Sequence, residues 1–267
     1  GQGYGLYVGC DRNINLSDNS PTPTNTILRT KGSLHTGDFN STLATGDAQF
    51  SFIGNPYQAM VDVNLLDYTG DINTNYIYVW DPNLNSEGGF VSIEASTGNH
   101  ATTSDANQFI QPGQGFFIRN NLDVTTTPII NFTEASKTVN ALPTQVFSNE
   151  EPESVLNLKL LNSLEEIDAV GIYFNENYNN AFTDEDAGKL GNVDENFAVI
   201  GENQLWSINK RAALLENEEI ALFINNYAEN NYAFIPEISS FTEETQLFLK
   251  DDYTGEEIEI VDGNPIL

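Results

Sequence analysis

Thr183-Asp184-Glu185-Asp186, followed by Gly188, Asn192 and Asp194, crowds hard oxygen donors into one short stretch. That is the donor type calcium takes, six to eight oxygens at about 2.3–2.6 Å. The spacing is not that of an EF-hand, since the third ligand position and the required glycine fall out of register. Asp184, Asp186 and Asp194 are the metal-ligand candidates, with calcium as the cofactor their chemistry suits. A solvated acidic loop is the plainer alternative, and the sequence favours it. Bound calcium would raise the melting temperature by mass action.

Nucleophilic catalysis needs a nucleophile, a base in hydrogen-bond reach and an orienting group. The bases on offer are His35 in GSLHTGD and His100 in TGNHATT, both read as turn residues, and the one cysteine is Cys10. No Gly-x-Ser-x-Gly elbow or Cys-Gly-Ser-Cys context surrounds a candidate nucleophile, so the sequence reads as non-enzymatic. Among the carboxylates, Asp81 after Trp80 alone has an aromatic neighbour that could raise its pKa, and Asp81-Pro82 reads more simply as a turn after a strand. Tyr76, Tyr78 and Trp80 share one face of a strand. They could stack a sugar, with Asp81 and Asn83 supplying hydrogen bonds. Ile77 and Val79 make the opposite face apolar too, which suits a strand interior to a sandwich, with Trp80 buried. Tyr57 and Tyr68, in loops, are the better candidates for exposed ligand contact.

These residues must be positioned by strands. Short runs rich in Ile, Val, Phe and Tyr recur, broken about every ten residues by Asn, Gly, Asp and Pro, and helical periodicity is nearly absent. The expected fold is all-β: two consecutive sandwich or jelly-roll-like units with little helix. Clear strands are Gly5 to Val8, Thr26 to Thr30, Gln49 to Ile53, Tyr76 to Trp80, Gly115 to Arg119 and Ile129 to Phe132. After an expected linker at Ala141 to Glu153 come Val155 to Leu161, Ala169 to Phe174, Phe197 to Ile200, Leu205 to Ile208, Glu219 to Ile224, Tyr232 to Ile235, Thr245 to Lys250 and Glu257 to Val261. The domains are drawn as 1–140 and 150–267.

Charge supports that division. Residues 1 to 133 hold four basic and twelve acidic side chains, and six and twenty-seven follow, so a net −8 stands against −21 in a total of −29. Such a surface repels nucleic acid and anionic lipid, whose binding depends on Lys and Arg at phosphates. Sixteen Phe and eleven Tyr are too many for a disordered acidic tail. A single cysteine excludes an intrachain disulfide, no apolar run of about 18 residues would span a membrane, and no leader of basic start and apolar core is present. A first residue Gly1 reads as an interior piece or processed product.

Ile110 to Arg119, IQPGQGFFIR, lacks the Lys and hydroxyl of a phosphate loop. Pro112-Gly113 instead suits the centre of a type II turn, and Gly115 allows a bulge or a close backbone approach where a strand begins. GQGYGLYV at Gly1 to Val8 repeats the device. An internal duplication follows, with one full unit over residues 30 to 133 and a remnant at the start.

IGNPYQAMVD at Ile53 to Asp62, IYVWDPN at Ile77 to Asn83 and IQPGQGFFIR resemble recurring segments of large secreted surface proteins of the Bacteroidetes. Those proteins carry a C-terminal sorting domain and leave by type IX secretion. VLNLKLLN, AFTDEDAGKL at Ala181 to Leu190 and LFLKDDYTGEEIEI at Leu247 to Ile260 are similar to the β-sandwich that precedes the sorting domain. The family often shows Arg-Gly-Asp-Arg after the opening strand, where this chain has Gly9-Cys10-Asp11-Arg12. The resemblance implies a non-catalytic, adhesive or spacer region at the cell surface or outside the cell. Its partners would be surface glycans or proteins, with the outer-membrane secretion machinery during export. The alternative is an accessory carbohydrate-binding region of a secreted polymer-degrading hydrolase.

Overall fold

The computed structural model describes residues 31–139, 153–162, 165–229 and 231–267. The structure is all-β, as expected. The expected strands at 5–8 and 26–30, the repeat remnant, Cys10 and all of the expected linker but Glu153 lie outside the described residues.

Nine strands come first: β1 Phe39–Thr42, β2 Phe50–Gly54, β3 Val61–Asp62, β4 Asp67–Thr69, β5 Tyr76–Asp81, β6 Gly89–Glu94, β7 Phe109–Ile110, β8 Gly115–Arg119 and β9 Ile129–Phe132. They build a four-stranded sheet in the order β2-β8-β5-β6, a three-stranded sheet β1-β9-β4 and the pair β3-β7. Nine more follow: β10 Ser154–Asn162, β11 Glu165–Phe174, β12 Ala187–Gly188, β13 Asn196–Gly201, β14 Gln204–Arg211, β15 Leu222–Asn225, β16 Tyr232–Ser239, β17 Phe248–Lys250 and β18 Glu257–Glu259. A second large sheet runs β15-β13-β14-β11-β10-β16 with β12 also on β14, and β17 and β18 form a hairpin. In this second sheet β11 and β14 run parallel and the other pairs antiparallel. Strands of the two sets pair only within their own set among the described residues.

The four-stranded sheet lies between two cores. One face carries Ile53, Ile77, Val79, Val91, Ile93, Phe116 and Ile118 into the first core, where Phe132 and Tyr57 meet them. The other face presents Tyr76 and Tyr78, with Phe50 and Phe117, to Tyr173, Ala187 and Ile208 of the second sheet. Burial on both faces is why β5 reads as apolar on both faces, and each such Ile or Phe contributes about 1.5–3 kcal/mol. Tyr76 and Tyr78 are therefore interior, as the strand's composition implies.

The turn before β8 follows its sequence. Gln114 N–H donates to the Gln111 carbonyl at 3.0 Å across Pro112-Gly113, and Gly113 takes the positive φ of 78° that the third position of a type II turn requires. Gly115 pairs with Gly54 in register, and a Cβ there would sit 2.7 Å from the Phe52 ring and 3.0 Å from the Ile53 carbonyl. The glycine serves a close approach, with no bulge.

Strands β1, β3, β4, β6, β7 and β12 extend the expected set, and the expected strands at 219–224 and 245–250 begin later, at Leu222 and Phe248. One edge of the second sheet is covered. The outer edge of β16 exchanges hydrogen bonds with the chain end, Phe234 N–H to Ile266 O at 2.8 Å and Ile266 N–H to Phe234 O at 2.9 Å. Gly263 N–H adds a bond to the Pro236 carbonyl at 2.8 Å. Covering an edge this way blocks strand-to-strand aggregation. No helix among the described residues is long and apolar enough to cross a membrane.

Candidate functional site

The junction between the two strand sets carries most of the polar side chains that could act. Tyr76 Oη donates to the Glu185 carbonyl at 2.7 Å, Ser92 and Ser207 hydroxyls lie 2.6 Å apart, and Phe90 N–H donates to Asn192 Oδ1 at 2.8 Å. Lys210 Nζ meets Glu94 at 2.5 Å, both side chains being mostly buried. Arg119, 2% exposed, donates from Nη2 to Gln204 Oε1 at 2.8 Å and holds its guanidinium 5.1 Å from the Trp206 ring centre.

The acidic loop belongs to this junction. Asp184 Oδ1 accepts from Leu122 N–H at 2.9 Å, while its carbonyl accepts from the Asn73 and Asn75 amides at 2.9 and 2.8 Å. Asp186 is fully buried. Its Oδ2 accepts from Thr183 N–H at 2.7 Å, and its Oδ1 accepts from Asn209 Nδ2 and Lys210 N–H, each at 2.8 Å. Burial pushes the carboxyl pKa of both up, against the pull of those donors. Asp194 stands apart from them, beside Glu195 and Asp168, whose charges add to burial in raising its pKa. The structure thus brings Asp184 and Asp186 into one loop but turns their oxygens to different N–H groups. Among the described residues no three His, Cys, Asp or Glu side chains are grouped to hold a metal ion.

Tyr57 and Tyr68 correct an expectation. The sequence offers both as loop residues for exposed ligand contact, yet Tyr57 has no exposed surface. Asn55 folds the loop back, its Nδ2 donating to the Ala59 and Ile110 carbonyls at 2.8 and 3.1 Å and its Oδ1 accepting from Tyr57 N–H at 2.9 Å. The phenol then donates to the Gly37 carbonyl at 2.8 Å, and Lys137 Nζ sits 4.1 Å from the ring centre. A loop that crosses over a core buries its aromatic residue when the hydroxyl finds an acceptor. Tyr68 lies in β4, half-buried, and donates to the Val63 carbonyl at 2.8 Å. Burial raises its pKa.

Two cavities among the described residues offer room for a ligand. One, about 440 Å³, opens between the strand sets and is walled by Asn64, Tyr68, Asn75 and Ser96 on one side and Tyr178 and Lys210 on the other, with Glu94 and Glu185. The second, about 350 Å³, lies at the end of β5 and is lined by Trp80, Asp81, Asn83, Ser104, Asp105 and Gln114. Trp80 is half-buried, which corrects the expected full burial. Phe90 packs edge-on 4.9 Å from it and Gly88 lies so close that a Cβ would come within 2.6 Å of the indole. Asp81 does begin the expected turn, accepting from Asn83 N–H at 2.9 Å, and also takes the Ser104 hydroxyl at 2.5 Å. The single row of three rings is therefore divided, with Tyr76 and Tyr78 interior and Trp80 in a polar cleft.

The histidines are spread out. His100 Nδ1 lies 3.2 Å from Thr102 Oγ1, and burial lowers its pKa. His35 packs its ring 5.5 Å from Phe39 and 5.8 Å from Tyr57. The Ser104 hydroxyl is given to a carboxylate rather than to an imidazole. Lys210, Tyr178, Ser104 and Gln114 were not legible as site residues. The signal available was that Lys210 is one of ten basic residues in a strongly acidic chain.

Comparison with protein-family models, with curated proteins and with solved structures returns no match.

Proposed function

We propose that this chain is a non-catalytic adhesive or spacer region of a secreted bacterial surface protein, carried outside the cell by an outer-membrane secretion machinery. The observation that carries the reading is the bonding of two sheets through a buried junction. Tyr76, Ser92, Glu94 and Arg119 of one strand set are tied to Glu185, Ser207, Lys210 and Gln204 of the other. A spacer must transmit load without bending, and packed polar networks of this kind rigidify because every broken bond leaves a buried group unsatisfied. The sequence resemblance to type IX-exported surface proteins supports the location. Single-molecule stretching from the chain ends is the test. Unfolding of both strand sets in one force event is expected, whereas separate events, the first at low force, would make the chain a flexible tether and reject the reading.

A second reading, an accessory carbohydrate-binding region of a polymer-degrading hydrolase, is favoured by the Trp80 cleft. A half-buried indole lining a cleft with Asp81, Asn83, Asp105 and Gln114 offers a ring surface for sugar C–H groups and hydrogen-bonding groups for hydroxyls. On that reading a glycan array shows a discrete ligand, and Trp80→Ala weakens its binding about tenfold or more, on the scale of 1–2 kcal/mol for one ring contact. An array without ligands, or one unchanged by Trp80→Ala, removes the second reading.

A further inference from the structure

One ion pair among the described residues has both ends out of water. The Lys189 and Asp168 side chains are 3% and 1% exposed, while the pairs Lys159–Glu237, Lys210–Glu94 and Arg211–Glu218 leave more of at least one partner in contact with solvent. Lys189 Nζ lies 2.5 Å from Oδ1 and 2.5 Å from Oδ2 of Asp168. Equal distances to both oxygens are those of a bidentate ion pair and hold the nitrogen in contact with the carboxyl group as a whole. The pair is not needed by the function proposed above. As a salt bridge it gains little, since desolvation of two charges offsets their attraction.

Asp168 Oδ2 accepts from Phe197 N–H at 2.7 Å and Oδ1 from Ala169 N–H at 2.9 Å. Two backbone donors on the oxygens of a carboxyl group stabilise the charge that develops when the carbon is attacked. A second carboxyl group, Asp194, lies three residues before Phe197, and its Oδ1 is buried with no hydrogen-bond partner among the described residues. Val170 and Phe197 of an apolar cluster flank the site and exclude water. Burial raises the Asp168 pKa, against the pull of the ammonium and of the two backbone donors beside it.

We propose that Lys189 and Asp168 condense to an intramolecular isopeptide bond. Within the pair one proton passes from the Lys189 ammonium to Asp168 Oδ1, and the amine so formed attacks Asp168 Cγ. One C–N bond forms, the C–Oδ1 bond breaks, and Oδ1 leaves as one water, with Asp194 carrying the amine proton to it. Oδ2 stays as the amide carbonyl on Phe197 N–H. No oxidant, metal or second substrate is required. The product ties β11 to the segment after β12 across 21 residues of sequence, a span that encloses the acidic loop. In a chain whose single cysteine can form no internal disulfide, the link constrains the unfolded state as a disulfide would.

Intact mass spectrometry of the purified, denatured full chain tests it. The wild type is expected one water, about 18 Da, lighter than its sequence, and a digest should yield the branched peptide joining residues 168 and 189. Lys189→Arg keeps the charge but not the nucleophile and should return its full sequence mass. Asp194→Asn should slow formation on the order of a hundredfold, the scale of a proton-transfer group. A wild type of full sequence mass after prolonged incubation overturns the proposal. A mass deficit that persists in Lys189→Arg overturns it too, because the lost water then comes from elsewhere, and the branched peptide decides the case even where a variant folds poorly.

Discussion

Replacing Arg119 by alanine is expected to cost about 3–5 kcal/mol and to split unfolding into two stages. The guanidinium lies between Phe50, 6.0 Å from its ring centre, and Trp206, at 5.1 Å, and donates to the Ala48 carbonyl at 3.3 Å and to Gln204 at 2.8 Å. Gly188 of β12 packs against it so closely that a Cβ would fall 2.8 Å from Cζ. Alanine therefore leaves a large void between the sets of strands and removes a positive charge that faces Asp184 and Asp186. Arg119 Nη1 and the Tyr78 hydroxyl are both buried without a hydrogen-bond partner, so part of the charge is already poorly compensated. Arg119→Met, which fills the space without the charge, should then cost less than half as much as alanine. Urea unfolding followed by Trp fluorescence and by far-ultraviolet circular dichroism decides it. Coincident transitions in wild type and separated ones in Arg119→Ala are expected, and an alanine variant as stable as wild type would mean the junction does not depend on Arg119.

Asp186→Ala should be the costliest change in the acidic loop, about 3 kcal/mol or more. One carboxylate satisfies three donors, Thr183 N–H, Asn209 Nδ2 and Lys210 N–H, and alanine leaves the buried Asn209 amide and the two part-buried N–H groups unpaired at about 1–3 kcal/mol each before relaxation. The loop from Thr183 would then come off β14, taking with it the Glu185 carbonyl that receives the Tyr76 hydroxyl. Asp184→Ala, which removes one acceptor from the half-buried Leu122 N–H, should cost less. Thermal melts in calcium and in sodium chloride of matched ionic strength separate the roles. A fall in melting temperature equal in both salts is expected for Asp186→Ala. A fall confined to calcium would show instead that this carboxylate holds an ion.

Residues confined to one turn or one strand told their structure through the sequence. Pro112 and Gly113 restrict their own φ angles, so IQPGQGFFIR could be read as a type II turn feeding β8, and Gly115–Arg119 and Ile129–Phe132 were placed with the bounds they have. Tyr76 to Trp80, apolar on both faces, announced an interior strand because a strand's two faces alternate residue by residue. Strand β6 went unread because Gly88 and Gly89 look like turn residues, and β4 is only three residues long.

What covers each side chain was decided by partners distant in the chain. Tyr57 looked like a loop aromatic, yet its environment is set by Gly37, Lys137 and Phe132, none of them its neighbour in sequence. Asp184 and Asp186 read either as calcium ligands or, more simply, as a solvated loop because a sequence displays carboxylates without their donors, and those donors come from Leu122 and from Asn209 and Lys210 as well as the loop. Nothing local marks Lys189 or Asp168. Their approach follows from two long-range pairings of β14, one with β11 and one with β12, which bring Asp168 and the residue after β12 together. Backbone conformation is governed by sterics within a few residues, and it was legible. Burial, pairing of charge and reactive geometry depend on which strands become neighbours, and only the folded chain fixes that.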